Sequence, residues 1–253
     1  MSRRSLCSAL AVAVILASLT GAARAQSSFS VDPLLIRLTG ESNNAVLTIS
    51  NPTAKEIRFE IKAFAWDQAP PNGTMKLEPT GDIVVFPPLV TLKPRMTQRV
   101  RIGTTAGPGP IEKSYRILIE ELPSSVATTA VNQVTVRTRI GVPVFVEPTK
   151  ATLSGRIQGV TIAKRVVSIA LVNTGTTHAM VDNIIVRGMS APDESVFEES
   201  LQGWYVLAGK TRTWEYTFKP AQCRPSKFVE IEVYAHDTVL KSRADVPAGA
   251  CNP

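Results

Sequence analysis

Between Gln133 and Val146 the chain reads QVTVRTRIGVPVFV; every even position is Val, Ile or Thr, and every odd one up to Pro143 is Gln, Thr, Arg, Gly or Pro. Alternation with period two puts these sets on opposite faces of a β-strand, one apolar and one polar to basic. Ordinary strands run roughly 5–6 residues, so a strand this long reaches past one sheet. It ends at Glu147-Pro148 in mid-chain, which marks the last strand of a first domain feeding a linker. A long strand with an apolar edge can also be lent to another chain.

The N-terminus reads as a secretory signal peptide. Arg3 and Arg4 precede an apolar run from Leu6 to Leu19, and Ala23-Arg24-Ala25 supplies a small-x-small cleavage pattern, so residues 1–25 are expected to leave. The run is too short to span a membrane, and nothing later approaches the required length. Cleavage removes three arginines and lowers the formal net charge of +7 by three. What remains is modest and scattered, which gives no support for nucleic-acid binding.

Cys7 lies at the start of the apolar run and leaves with it, so Cys223 and Cys251 remain. An even pair in an exported chain reads as one disulfide, closing a loop of about 27 residues worth on the order of 3 kcal/mol. A redox pair would want a CxxC spacing, which is absent.

The coarse pattern is all-β, with expected strands at Ala45–Ser50, Ile57–Trp66, Ile83–Phe86, Gln98–Ile102 and Tyr115–Glu121, followed by the long strand. After the linker come Val166–Val172, Val181–Val186, Trp204–Leu207, Thr211–Phe218 and Phe228–Ala235. Turn signals such as Pro70-Pro71-Asn72-Gly73 separate them, and strands at this spacing point to β-sandwiches. A faint duplication supports two similar units. Val46–Ser50 runs into Asn51-Pro52-Thr53 as Ser168–Val172 runs into Asn173-Thr174-Gly175, and Leu92-Lys93-Pro94 follows the first as Leu207-Ala208-Gly209 follows the second. The expectation is two immunoglobulin-like β-sandwiches in tandem, 26–148 and 149–253.

Catalytic chemistry finds no foothold. The two histidines, His178 and His236, lie in different halves and read as turn and strand-end residues. No GxSxG, P-loop or dinucleotide fingerprint is present, and Glu120-Glu121 and Glu198-Glu199 read as solvated turns. The chain is expected to be no enzyme and to carry no metal or cofactor.

In its ordered segments the chain resembles the periplasmic pilus-assembly chaperones of the chaperone–usher pathway, in a divergent or archaic-type branch. The segments are Ser30-Val31-Asp32-Pro33; Asp82–Pro88 with Leu92-Lys93-Pro94; Glu112–Pro123, a Glu, an apolar strand and a Glu-Leu-Pro exit; and the strand ending Pro143-Val144-Phe145-Val146. The resemblance implies a periplasmic, non-catalytic chaperone whose partners are pilin or fimbrial subunits and an outer-membrane usher. Its last first-domain strand would complete the client's sheet by β-augmentation, with main-chain hydrogen bonds for affinity and alternate side chains filling pockets. Val134 and Val136 fall at the donor positions, with Val131 or Ala130 as a third. Exposed strand edges also invite self-association.

The family anchors the client's C-terminal carboxylate with a basic pair. Here the first-strand position is Leu35, with Arg37 nearby, and Gly141 stands where a lysine is expected, with Arg139 two residues away. Arg139, Arg37 and Arg116 are therefore the candidate anchors, arginine being suited to bidentate carboxylate pairing. The rival reading is a secreted or periplasmic tandem binding module that recognises a glycan or surface protein through loops such as Asp67–Thr74.

Overall fold

Two separate apolar clusters organise the chain, one on each side of the linker. The protein is seen as a computed structural model that describes residues 29–70, 72–123 and 137–252. The first sandwich contains β1 (Ser30–Asp32), β2 (Ile36–Leu38), β3 (Asn44–Ser50), β4 (Ile57–Ala69), β5 (Thr74–Pro79), β6 (Ile83–Phe86), β7 (Leu89–Leu92), β8 (Thr97–Thr104), β9 (Lys113–Glu121) and β10 (Arg139–Val146). One sheet has the order β1-β3-β8-β6; the facing sheet runs β2-β10-β9-β4-β5, with β7 also on β4. The first strand thus divides between both sheets, antiparallel to β3 and then parallel to β10.

The second sandwich contains β11 (Gly155–Ala163), β12 (Val166–Asn173), β13 (Ala179–Ala191), β14 (Glu194–Gln202), β15 (Tyr205–Val206), β16 (Thr211–Thr217), a one-turn helix α1 (Pro220–Cys223), β17 (Phe228–Ala235) and β18 (Thr238–Asp245). Its sheets are β11-β12-β16 and β14-β13-β17-β18, with β15 on β13. Two immunoglobulin-like sandwiches are therefore what the chain adopts. Cys223 and Cys251 are disulfide-bonded and tie α1 to the C-terminal tail.

Period two governs the packing. On β10 the even positions Val142, Val144 and Val146 are buried in the first core, and Ile140 packs against it. Each such side chain contributes roughly 1.5–3 kcal/mol when fully buried. The upstream positions Val131, Val134 and Val136 lie outside the described residues.

The duplicated asparagine turns share one hydrogen-bond plan. Asn51 Nδ2 donates to the carbonyls of Lys55, Leu92 and Lys93, and its Oδ1 accepts from Thr53 N. Asn173 Nδ2 donates to Thr177 and Val206, and its Oδ1 accepts from Gly175 N. Each turn is thus stapled to the later segment matched to it in the sequence.

Two expectations change. Glu120 and Glu121 lie within strand β9 and Glu198 and Glu199 within β14, where Glu120 pairs with Arg139 at 2.8 Å and Glu198 with Arg187 at 2.6 Å, so neither pair forms a turn. His178 is buried, its side chain 3% exposed, because a carboxylate from the first sandwich meets it.

Candidate functional site

The outer face of the sheet β10-β9-β4 is set by register. Arg139 lies opposite Glu120 and Glu120 opposite Glu60; Gly141 opposite Leu118 and Leu118 opposite Lys62; Pro143 opposite Arg116 and Arg116 opposite Phe64. At one end the face is open and charged, and a shallow hollow of about 220 Å³ is lined by Glu60, Lys62, Phe64, Leu118, Glu120 and Arg139. At the other end it runs into the second sandwich. The residues that continue the same alternation there, Trp66 and Gln68 on β4 and Phe145 on β10, are buried.

That junction is tightly made. Trp66, Phe145 and Leu207 form an apolar cluster with Leu35, Leu77 and Tyr205 packed on it. Gln68 Nε2 donates to Tyr205 O at 2.7 Å, and its Oε1 accepts from Leu207 N at 2.9 Å. Glu112 Oε1 accepts from His178 N at 2.9 Å and lies 2.8 Å from His178 Nδ1. The imidazole stacks on Phe145, ring centroids 3.7 Å apart. At the hairpin between β4 and β5, Asp67 pairs with Lys210 at 2.6 Å and Gly73 O accepts from Arg212 Nη1 at 2.8 Å. This hairpin, the recognition loop of the binding-module reading, is therefore engaged by the second sandwich.

The three candidate arginines differ. Arg139 is exposed and its Nη2 lies 2.8 Å from Glu120 Oε2, so its charge is already matched. Arg37 is 3.8 Å from Glu147. Arg116 is half-buried with its guanidinium 5.1 Å from the Trp66 ring and 5.5 Å from the Trp204 ring. Its Nη2 donates to Gly141 O at 3.3 Å, and no acidic side chain pairs with it among the described residues. Burial lowers its pKa. Burial likewise raises that of Tyr205, which the charges of Arg116 and Arg37 oppose. Arg116 is thus a half-buried cation without an acidic partner among the described residues, at the end of an open face.

Gly141 leaves room for Arg116. A Cβ there would stand 2.6 Å from Arg116 Nε, so the absent side chain is what lets the guanidinium lie across β10. Beside it, over Arg139–Pro143, β10 is paired on one side only among the described strands, because β2 reaches only Val144–Val146. An unpaired strand edge is a template for another strand. The sequence reading missed Trp66, Gln68, Glu112 and Trp204 as junction residues. Among them, the continued alternation of β4 through Trp66 and Gln68 was the available signal.

Among the described residues no three His, Cys, Asp or Glu side chains gather as metal ligands, and no described helix is long and apolar enough to cross a membrane. Residues 28–152 match the profile of the pili and flagellar-assembly chaperones, PapD N-terminal domain. No curated protein matches the sequence. Solved structures of like fold include the CsuC–CsuE chaperone–tip adhesion subunit pre-assembly complex from archaic chaperone–usher Csu pili of Acinetobacter baumannii, with TM-score 0.59 and 16% identity over 87% of this chain and 98% of that one. The Salmonella enterica SafA pilin complex with the SafB chaperone gives 0.53 and 15%, covering 87% and 96%. The Pseudomonas aeruginosa CupB2 chaperone gives 0.52 and 12%, covering 86% and 100%. At these identities the likeness establishes the fold.

Proposed function

Through residues 28–152 this chain belongs to the pili and flagellar-assembly chaperones, and we propose that it acts as an exported periplasmic chaperone that caps incomplete pilin subunits by donor-strand addition and delivers them to an outer-membrane usher. The observation that carries this reading is Arg116, a half-buried cation without an acidic partner among the described residues, on β9 opposite Pro143 at the end of the one-sided stretch of β10. A client strand laid along that edge would run toward the guanidinium and end on it with its C-terminal carboxylate. Arg37 is near enough to influence Tyr205 and would supply a second positive charge. Arg139 would serve only after leaving Glu120.

Val134 and Val136, in the even-numbered alternation that leads into β10, are assigned as donor side chains, with Val131 or Ala130 as a third. Each valine buried in a client groove would contribute roughly 1.5–3 kcal/mol. For delivery a second surface is needed. Val46, Arg101 and Phe86 lie side by side across β3, β8 and β6, with Val84 near, and Phe86 is 68% exposed. Exposed apolar side chains gathered around one arginine on a small sandwich fit a partner better than solvent, and we assign this face to the usher.

The test is a tagged pull-down of the mature chain from periplasm, with recovered subunits identified by mass spectrometry. The native chain should recover a small exported β-rich subunit, and Val134→Asp with Val136→Asp should lose it while keeping the far-UV spectrum. Equal recovery by both chains would overturn the donor-strand reading.

A further inference from the structure

Arg116 is oriented by rings more than by hydrogen bonds. Its contacts to polar atoms are long, 3.3 Å to Gly141 O and 3.6 Å to Met75 Sδ. The two indoles flank it, Trp66 from β4 of the first sandwich and Trp204 from the segment just before β15 of the second. Tyr205 meets both indoles edge-on, at 5.4 Å and 5.8 Å between centroids. A guanidinium against aromatic faces keeps its N–H edges available, whereas pairing with a carboxylate would occupy them.

Trp204 is itself held firmly. Val181 N donates to Trp204 O at 3.1 Å, and a Cβ on the preceding Gly203 would run into the Val181 carbonyl. The second sandwich therefore presents this indole from a fixed point on β13. On the other side, Trp66 is buried, and its Nε1 has no acceptor among the described residues.

We propose that Trp204 is a positioning residue for the anion site: its indole holds the Arg116 guanidinium in the orientation that receives a chain-terminal carboxylate, so that recognition requires both sandwiches. This rests on the reading of Arg116 as the client anchor. Moving the second sandwich away withdraws one wall from the cation, and by linkage carboxylate binding favours the closed junction.

The experiment uses the full mature chain and two fluorescein-labelled nonapeptides of alternating valine and serine ending in tyrosine, one a free acid and one amidated. The ratio of their affinities isolates the carboxylate, because changes in strand pairing act on both peptides alike. The native chain should prefer the free acid by about tenfold or more, the worth of a charge-assisted contact. Arg116→Gln should erase that preference. Trp204→Leu, which keeps apolar bulk without an aromatic face, should bring the ratio to about twofold or less with little change for the amide, and Trp204→Phe should restore most of it. A ratio unchanged in Trp204→Leu while Arg116→Gln erases it would refute the positioning role and leave the anchor standing. A ratio insensitive to Arg116→Gln, or a native chain that binds neither peptide or both alike, would remove the anchor and the inference together.

Discussion

Gln68→Ala is expected to loosen the joint between the sandwiches more than any single apolar truncation at the surface. The side chain is 2% exposed and bridges two backbone groups of the other sandwich, donating to Tyr205 O at 2.7 Å and accepting from Leu207 N at 2.9 Å. It behaves as a one-residue strand, closing the rung that β4 cannot make with its own main chain. Truncation removes two hydrogen bonds of about 0.5–1.5 kcal/mol each and strands partners that cost about 1–3 kcal/mol when buried unpaired. Allowing for partial access of water, the net loss should be about 2–4 kcal/mol. For a chain of this size each kcal/mol moves the midpoint about 2–4 °C, so calorimetry at neutral pH should record a fall of roughly 5–15 °C. Gln68→Met keeps the volume and leaves the same two groups unpaired, so it should fall by a similar amount. A Met variant as stable as the native protein would refute the hydrogen-bond reasoning and assign the effect to packing.

Two further outcomes follow from the same kind of reading. Asn51→Ala and Asn173→Ala should each destabilise by about 1–3 kcal/mol in urea titration, since each removes a buried turn staple, and the double variant should add because the sites lie in different sandwiches. In the second sandwich Lys241, Arg187 and Tyr234 hold the Glu232 carboxyl down to about 2, from an ordinary value of 4.5. A lowered carboxyl stabilises the fold fully above its ordinary pKa, and that contribution is lost as pH falls from 4.5 toward 2. Glu232→Gln should accordingly flatten the acid limb of stability, measured by melting temperature between those limits.

How much of this was legible in the sequence depends on whether a residue's partner lies nearby on its own strand or in the other sandwich. The inward positions of β4, β9 and β10 were readable because period two is a property of the strand alone. The asparagine turns were readable for the same reason, since each staple closes locally before it reaches a later strand. Strands β11, β14 and β18 were missed because their faces are only partly buried and carry little hydropathic contrast. His178 looked like a turn residue because the carboxylate that buries it, Glu112, is 66 positions away. Gln68 and Trp204 sit in segments whose local pattern is ordinary, and only the meeting of the sandwiches gives them partners.

The expected basic anchor is the sharpest case of that limit. A comparison along the chain expects an arginine at Leu35 and a lysine at Gly141, finds neither, and leaves the site without its charges. In the fold Leu35 is partly buried against the apolar junction cluster, where a cation would lose part of its hydration without a counter-charge. Gly141 sits opposite Leu118 and diagonal to Arg116, which is opposite Pro143. Diagonal neighbours on adjacent strands are within reach of long side chains, so a positive charge supplied from β9 can lie over the place where a lysine on β10 would stand. A side chain added at Gly141 would start 2.6 Å from Arg116 Nε and displace it. Gly141→Lys would therefore exchange one cation for another, and in doing so take the guanidinium out from between its two indoles.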